Sequence, residues 1–175
     1  IFHKQNLGKG SAIKSAMNFI SGEIVIIQDA DLEYDPKEYN ILIKPIIQNQ
    51  TNVVYGSRVL NKKNYSGNLT TPQHLRVIGN KVLTFISNIF NNQKLTDAHT
   101  CYKVFKKETF MKLNIETKDF AFCPEVTTKL SKLNENIIEV PITYKGRSYD
   151  EGKKIKFKDF FIAIYTIIKF KFFKK

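Results

Sequence analysis

Cysteine is scarce in this chain: Cys101 and Cys123 are the only two among 175 residues. A disulfide framework is therefore excluded as the source of stability, and a reducing compartment is the expected setting. No Cys or His stands at metal-site spacing near either, so both read as small buried residues. Long apolar runs are missing too. The longest, 160–168, is about half of the ~20 residues that a bilayer-spanning helix needs, and no signal-peptide pattern, internal repeat or low-complexity segment is visible. Acidic residues are in deficit, with 16 Asp and Glu against 28 Lys and Arg, a formal charge of +12. That excess favours an anionic partner: nucleic acid, a phosphorylated ligand or an acidic membrane surface. Charge alone does not choose among them. What is present suits a globular domain, since 42% of the residues are hydrophobic and the length supports one core. The tripeptides at Asn64 and Asn68 fit the N-glycosylation pattern, which a cytosolic protein also matches by chance.

Strand-like and helix-like segments alternate, which predicts an α/β domain. Gly8 and Gly10 punctuate a turn in which Ser11 can cap a helix with Ala12, Ile13, Ala16, Met17 and Ile20 on its apolar face, ended by Gly22. Ile24 to Ile27 reads as a buried parallel strand. Pro36 opens a helix over about 37–49, with Tyr39, Leu42, Ile43 and Ile46 buried and Pro45 as a possible bend. A short strand over 52–55 leads to Gly56-Ser57-Arg58, and the polar composition from Val59 to Thr71 reads as a mobile loop. A long helix over 72–91 carries Leu75, Ile78, Val82, Phe85, Ile86 and Ile89 as its apolar stripe. Residues 95–106 look like a loop feeding a strand, followed by a helix over about 123–133 and a strand over 137–144. Ile1 and Phe2 read as the tail of a strand, so a missing front end is expected.

The chemistry-bearing residues cluster in Glu23 to Pro36, EIVIIQDADLEYDP. Asp29, Asp31, Glu33 and Asp35 follow the apolar strand at its carboxyl end, where open α/β sheets bind ligands. Two aspartates one residue apart in extended chain point roughly the same way. Both can then face a hard divalent cation, Mg²⁺ or Mn²⁺, able to hold the pyrophosphate of a sugar nucleotide. A plain acidic turn is the alternative. Gly8-Lys9-Gly10-Ser11 lacks the longer glycine-spaced P-loop pattern and reads as a loop-to-helix turn whose nitrogens can still face a phosphate. Arg58, at a strand end, and Arg76, early in the long helix, are placed to meet phosphate or to lie solvated on the surface. Asp97 is either functional or a cap, and His99 reads as structural. Lys145, Arg147, Lys153 and Lys154 surround a glycine-containing loop that closes over a diphosphate or is a charged turn. Beyond it, Phe157, Phe160, Phe161, Ile164, Ile168 and Phe172 recur at helical spacing among lysines, the pattern of a membrane-interfacial helix or of one docked on its own core.

In order, NLGKGSAI, QDADLEYDP, YGSR, IGNK, LTDAHTCYKVF, PEVTTKL, EVPITYKGRSYDEGKKI and KDF resemble family-two glycosyltransferases of the dolichyl-phosphate mannosyltransferase and polyprenyl-phosphate glucosyltransferase type. The resemblance implies a GT-A fold, a Rossmann-like αβα sandwich over residues 1–155, followed by an amphipathic helix over 156–175. It implies metal binding by Asp29 and Asp31, with Glu33 where the family often has glutamine. It places Arg58, Arg76 and Asp97 at the reacting centre and the acceptor phosphate, and Arg147, Lys153 and Lys154 near the donor diphosphate. The implied reaction moves a hexose, with inversion, from a nucleotide diphosphate sugar of the GDP-mannose or UDP-glucose type to a polyprenyl phosphate. The expected location is peripheral, at the cytoplasmic face of the membrane. The family's first strand and Pro-x-x-Asn-Glu segment have no counterpart here, so a truncated, inactive fragment is one alternative. A soluble or protein acceptor is another. A nucleic-acid-binding protein would also suit the charge, yet the aromatics are mostly Phe in apolar faces and no nucleic-acid motif is present, so no nucleic-acid partner is expected.

Overall fold

Short β-branched runs alternate with amphipathic stretches, and the computed structural model, which describes residues 1–65, 71–147 and 157–174, shows the α/β layering they predict. The order is α1 (Lys9–Met17), β1 (Ile24–Ile27), a 3₁₀ turn (Pro36–Glu38), α2 (Tyr39–Ile47), β2 (Val53–Ser57), a 3₁₀ turn (Lys62–Tyr65), α3 (Thr71–Asn91), β3 (Lys103–Lys106), α4 (Lys107–Lys112), α5 (Phe122–Lys132), β4 (Ile137–Pro141) and α6 (Phe157–Ile168), which runs on into a π-helical turn (Lys169–Phe173). Part of the polar stretch read as a loop, and Lys153 and Lys154, lie outside the described residues.

Among the described residues the sheet has four strands in the order β1-β3-β2-β4. β2 is buried at every position and pairs parallel with β4, Val53 opposite Ile137 through Ser57 opposite Pro141. β3 runs antiparallel to both its neighbours, with Tyr55 opposite Lys103 and Ile27 opposite Lys103. This corrects the reading of Ile24–Ile27 as a buried parallel strand: β1 is antiparallel and mostly half-buried. An apolar run reports burial, and the direction of its partner is set by a segment some 80 residues away. α2 packs on β2 and β3 through Leu42 and Ile46, while Tyr55 of β2 reaches α5 through a 3.0 Å hydroxyl contact with Thr127. Val53, Val54, Phe105, Phe110, Val126 and Leu130 fill the core between them. α4 was not anticipated; it follows β3 directly, and its Phe110 stacks on Phe105 at 5.1 Å.

One helix start differs from expectation. Ser11 does not cap α1; Gly8 does, at φ 89°. A Cβ on Gly8 would stand 2.2 Å from the Lys118 carbonyl oxygen, and one on Gly10 2.1 Å from that of Thr117. The glycines therefore let the chain pass against the backbone of 117–118, where the Ser11 amide donates to the Lys118 carbonyl. On α1, Ile13 and Met17 pack against the core, whereas Ala12 and Ala16 face outward.

The apolar stripe of α3 is turned outward at most of its positions: Leu75, Ile78, Val82, Phe85 and Ile89 are exposed by 65, 56, 41, 64 and 62%, and Ile86 is half-buried. The inward face is polar: Asn80, Thr84, Ser87, Asn88 and Asn91 all make hydrogen bonds within the protein. α6 packs on α3 and α5, burying Ala163 and Ile167, and Phe170 of the following turn is also buried. Among the described residues no helix is long and apolar enough to cross a membrane.

Candidate active site

β1 delivers the acidic loop, and each carboxylate in it meets a cation or a donor from elsewhere in the chain. The Lys9 ammonium, at the start of α1, lies 2.8 Å from Asp29. Burial opposes that ammonium, but the surrounding thiols and Asp29 outweigh it and hold its pKa above the ordinary lysine value. Asp31 accepts from the Glu33 amide at 3.2 Å and from Arg147 Nη2 at 2.7 Å. Leu32, between them, sits at φ 61° with its side chain 90% exposed, a left-handed turn that a non-glycine residue adopts only under constraint. Glu33 is buried; it accepts from the Arg147 amide at 2.9 Å, from Arg147 Nε at 3.4 Å and from the Tyr144 hydroxyl at 3.1 Å. The loop is thus a turn rather than extended chain.

A second cluster forms where β2 ends. Asp97 has no exposed surface; Arg58 grips it bidentately, Nε to Oδ2 at 2.7 Å and Nη2 to Oδ1 at 2.8 Å. The Arg58 amide adds a bond at 3.1 Å and Asn80 of α3 another at 3.0 Å. Burial would raise the Asp97 carboxyl, but the Arg58 charge and these donors outweigh it and hold the pKa at about 2. Asp97 is therefore an anchored anion with both oxygens occupied, not a turn cap. Glu139 of β4 fixes the preceding backbone by accepting from the Thr96 and Asp97 amides at 2.7 and 2.9 Å. His99 has its pKa pushed down to about 3 by burial and then by Lys103, so it is neutral at pH 7. Lys103, wholly buried, donates to the Ala98 and Thr100 carbonyls at 3.0 and 2.7 Å and lies 4.0 Å over the Tyr55 ring.

The two clusters are one. Tyr144, bonded to Glu33, lies under the Arg58 guanidinium at 5.1 Å. Arg76 Nη1 donates to the Arg147 carbonyl at 3.1 Å. Asp31, Glu33, Arg147, Arg76, Arg58 and Asp97, drawn from positions up to 116 residues apart, thus form a connected chain of contacts, and Asp29 adjoins Asp31 in the same loop. Sequence reasoning missed Asn80, Glu139, Tyr144 and Lys9 as members. A lone carboxylate in the otherwise apolar β4 was the one local signal for Glu139.

Among the described residues no three His, Cys, Asp or Glu side chains stand together as a metal site. Asp29 and Asp31 are partly exposed and carry the hard oxygens that a divalent cation prefers, but Lys9 engages Asp29, and the Glu33 amide and Arg147 engage Asp31. Glu33 differs in being buried, with the Tyr144 and Arg147 donors on its oxygens.

The α/β domain thus gathers a strand-end acidic loop with three arginines, whose guanidinium forks match phosphate and carboxylate oxygens alike. Residues 1–113 match the profile of Glycosyl transferase family 2, and the chain belongs to that family. It is 30% identical, over 81% of its length, to a UDP-N-acetylglucosamine--dolichyl-phosphate N-acetylglucosaminyltransferase of Methanococcus voltae, of which it covers 57%. It is 29% identical, over 80% of its length, to the low-salt glycan biosynthesis hexosyltransferase Agl6 of Haloferax volcanii, covering 33% of that protein. A dolichyl-phosphate beta-glucosyltransferase of Trichomonas vaginalis is 26% identical over 97% of the chain, which covers 52% of it. The chain thus spans between a third and somewhat more than half of the length of these relatives.

Proposed function

We propose that this chain belongs to an inverting glycosyltransferase that moves a hexose from a nucleotide diphosphate sugar to a polyprenyl phosphate at the cytoplasmic face of a membrane. The observation that carries it is the junction at Arg147, whose side chain and amide meet the acidic loop while its carbonyl holds Arg76. On this reading donor-side carboxylates and an acceptor-side arginine share one site, which the Arg147 contacts support. Two of the three relatives are named for dolichyl phosphate, which supports a lipid phosphate as the acceptor.

A lipid phosphate is already anionic at neutral pH, so it needs positioning and charge shielding more than a strong base. Asp97 suits that demand. With its pKa at about 2 and its oxygens held by Arg58 and Asn80, it orients the Arg58 guanidinium instead of taking a proton. Arg76 and Arg58 bind the acceptor phosphate, and Arg147, with Lys153 and Lys154, binds the donor diphosphate. Asp29 and Asp31 would hold Mg²⁺ or Mn²⁺, whose charge would shield the departing diphosphate; Arg147 must then release Asp31, and Glu33 joins them only if it is released as well.

The test is transfer of labelled hexose into an organic-extractable polyprenyl phosphate, run with UDP-glucose, UDP-N-acetylglucosamine and GDP-mannose and with a soluble glycan acceptor alongside. The expected product is lipid-linked and Mg²⁺-dependent, and Asp31→Asn removes it. Undiminished transfer by that variant would sink the metal role, and label in the soluble glycan alone would sink the lipid acceptor.

A further inference from the structure

We propose that Asn64 is a positioning residue of the transfer site, the pin that holds the acceptor-side Arg58 and the segment 142–147 in one arrangement. Its effect on transfer rests on the lipid-phosphate reading above, whereas its hold on Arg58 stands apart from that reading.

The turn after β2 is shaped to bring Asn64 back to the sheet. The Ser57 hydroxyl accepts from the Val59 and Leu60 amides at 3.2 and 3.3 Å, which folds the chain on itself. The Asn61 side chain accepts from the Lys63 amide at 3.2 Å and so starts the 3₁₀ turn that carries Asn64. There the Asn64 amide nitrogen donates to the Arg58 carbonyl at 2.8 Å and to the Ile142 carbonyl at 2.9 Å, while its oxygen accepts from the Tyr144 amide at 3.0 Å. The Asn61 amide nitrogen adds a bond of 3.2 Å to the same Ile142 carbonyl. A carboxamide donates twice and accepts within one flat group, whereas a carboxylate only accepts and a hydroxyl donates once. Both Asn64 amide hydrogens are therefore spent. A glycan on Asn64, which its tripeptide pattern allows, would take one of them.

What Asn64 joins is the site itself. The Arg58 amide and guanidinium lie on Asp97 and its carbonyl lies on Asn64, so the residue is held from both sides of its own backbone. Tyr144, fixed at its amide by Asn64, sets its ring 5.1 Å from the Arg58 guanidinium and its hydroxyl on Glu33. The segment 142–147 is thus fastened near its start by Asn64 and at its end by Glu33, which takes the Arg147 amide. When Arg147 leaves Asp31, the Asn64 end still keeps Tyr144 under Arg58. The acceptor side keeps its shape while the donor side rearranges.

The experiment is proton–nitrogen NMR of the 175-residue chain, isotope-labelled in its arginine nitrogens, whose three arginines give three Nε–H signals. Arg58→Lys assigns the Arg58 signal, and Tyr144→Leu gives its position without the ring beside it. Asn64→Ala is expected to move that signal more than half of the way to its Tyr144→Leu position. Asn64→Asp, of the same size and unable to donate, is expected to move it the same way and decides the question where the alanine variant does not fold. Lys62→Ala, exposed on the same turn, leaves it in place. An unmoved Arg58 signal in folded Asn64→Asp overturns the proposal. In the transfer assay, Asn64→Asp is expected to raise KM for the polyprenyl phosphate about fivefold or more, with KM for the nucleotide sugar within about twofold of wild type. Equal rises in both, or a rise in neither, overturn it as well. A wild type silent in transfer counts against the proposed function, and the Arg58 signal then decides the role of Asn64.

Discussion

Asp97 and Arg58 carry opposite charges in a place water barely reaches, with Asp97 fully buried and the Arg58 side chain 16% exposed. Removing one member leaves the other uncompensated, so Asp97→Asn is expected to cost about 3–5 kcal/mol in urea denaturation, and Arg58→Met/Asp97→Asn together less than the sum of the singles. The pH dependence follows from the direction of the shift. A carboxyl held at about 2, below its ordinary value of about 3.9, contributes stability that is complete above pH ~4 and is lost as pH falls toward 2. Glu139 acts with the opposite sign: burial, against the Thr96 and Asp97 amides, raises its pKa, so its contribution is present at low pH and lost as pH rises through that value. The difference between wild type and Asp97→Asn, followed from pH 5 to 2, isolates the Asp97 part and should shrink over that interval. Little of this pair was legible in the sequence. The Gly-Ser-Arg and Thr-Asp segments were each visible, but the residues stand 39 positions apart and no local pattern ties a strand-end arginine to a particular aspartate.

At the level of elements, the start of α1 is the least tolerant of change. Gly8→Ala must adopt a left-handed φ and meets the Lys118 carbonyl at 2.2 Å, so a loss of about 1–3 kcal/mol is expected, read as a lower urea midpoint with an unchanged slope. Helices were well placed by their periodicity; α3 begins and ends within a residue of its expected bounds, and α5 likewise. What periodicity does not carry is what lies opposite the face it defines. In α3 the apolar row was legible and its direction was not, because Asn80, Thr84 and Asn88 find their partners in a loop after the helix. The same limit explains β1, whose four apolar residues announce a strand while β3 sets its direction. The acidic loop was legible as a cluster; its binding to Arg147, over a hundred residues on, was not.

At the scale of the molecule, the carboxy-terminal helix is part of the packing. Because Ala163, Ile167 and Phe170 are buried and α6 rests on α3 and α5, deleting residues 157–175 is expected to lower the melting temperature and to cause aggregation, measured by calorimetry and light scattering. The α/β layering agrees with the expected GT-A class, and β2 and β4, parallel and neighbouring, carry Ser57 and Glu139 to the same end of the sheet as the Asp97 loop. The segment after β4 returns across that end and fastens its Arg147 to Asp31 and Glu33. One carboxylate cannot serve a guanidinium and a divalent ion to the full at once. Any ion that settles on Asp31 therefore loosens this strap, and the grip of the strap in turn weakens the apparent affinity of the ion by the same factor, a thermodynamic reciprocity between the two ends of the chain.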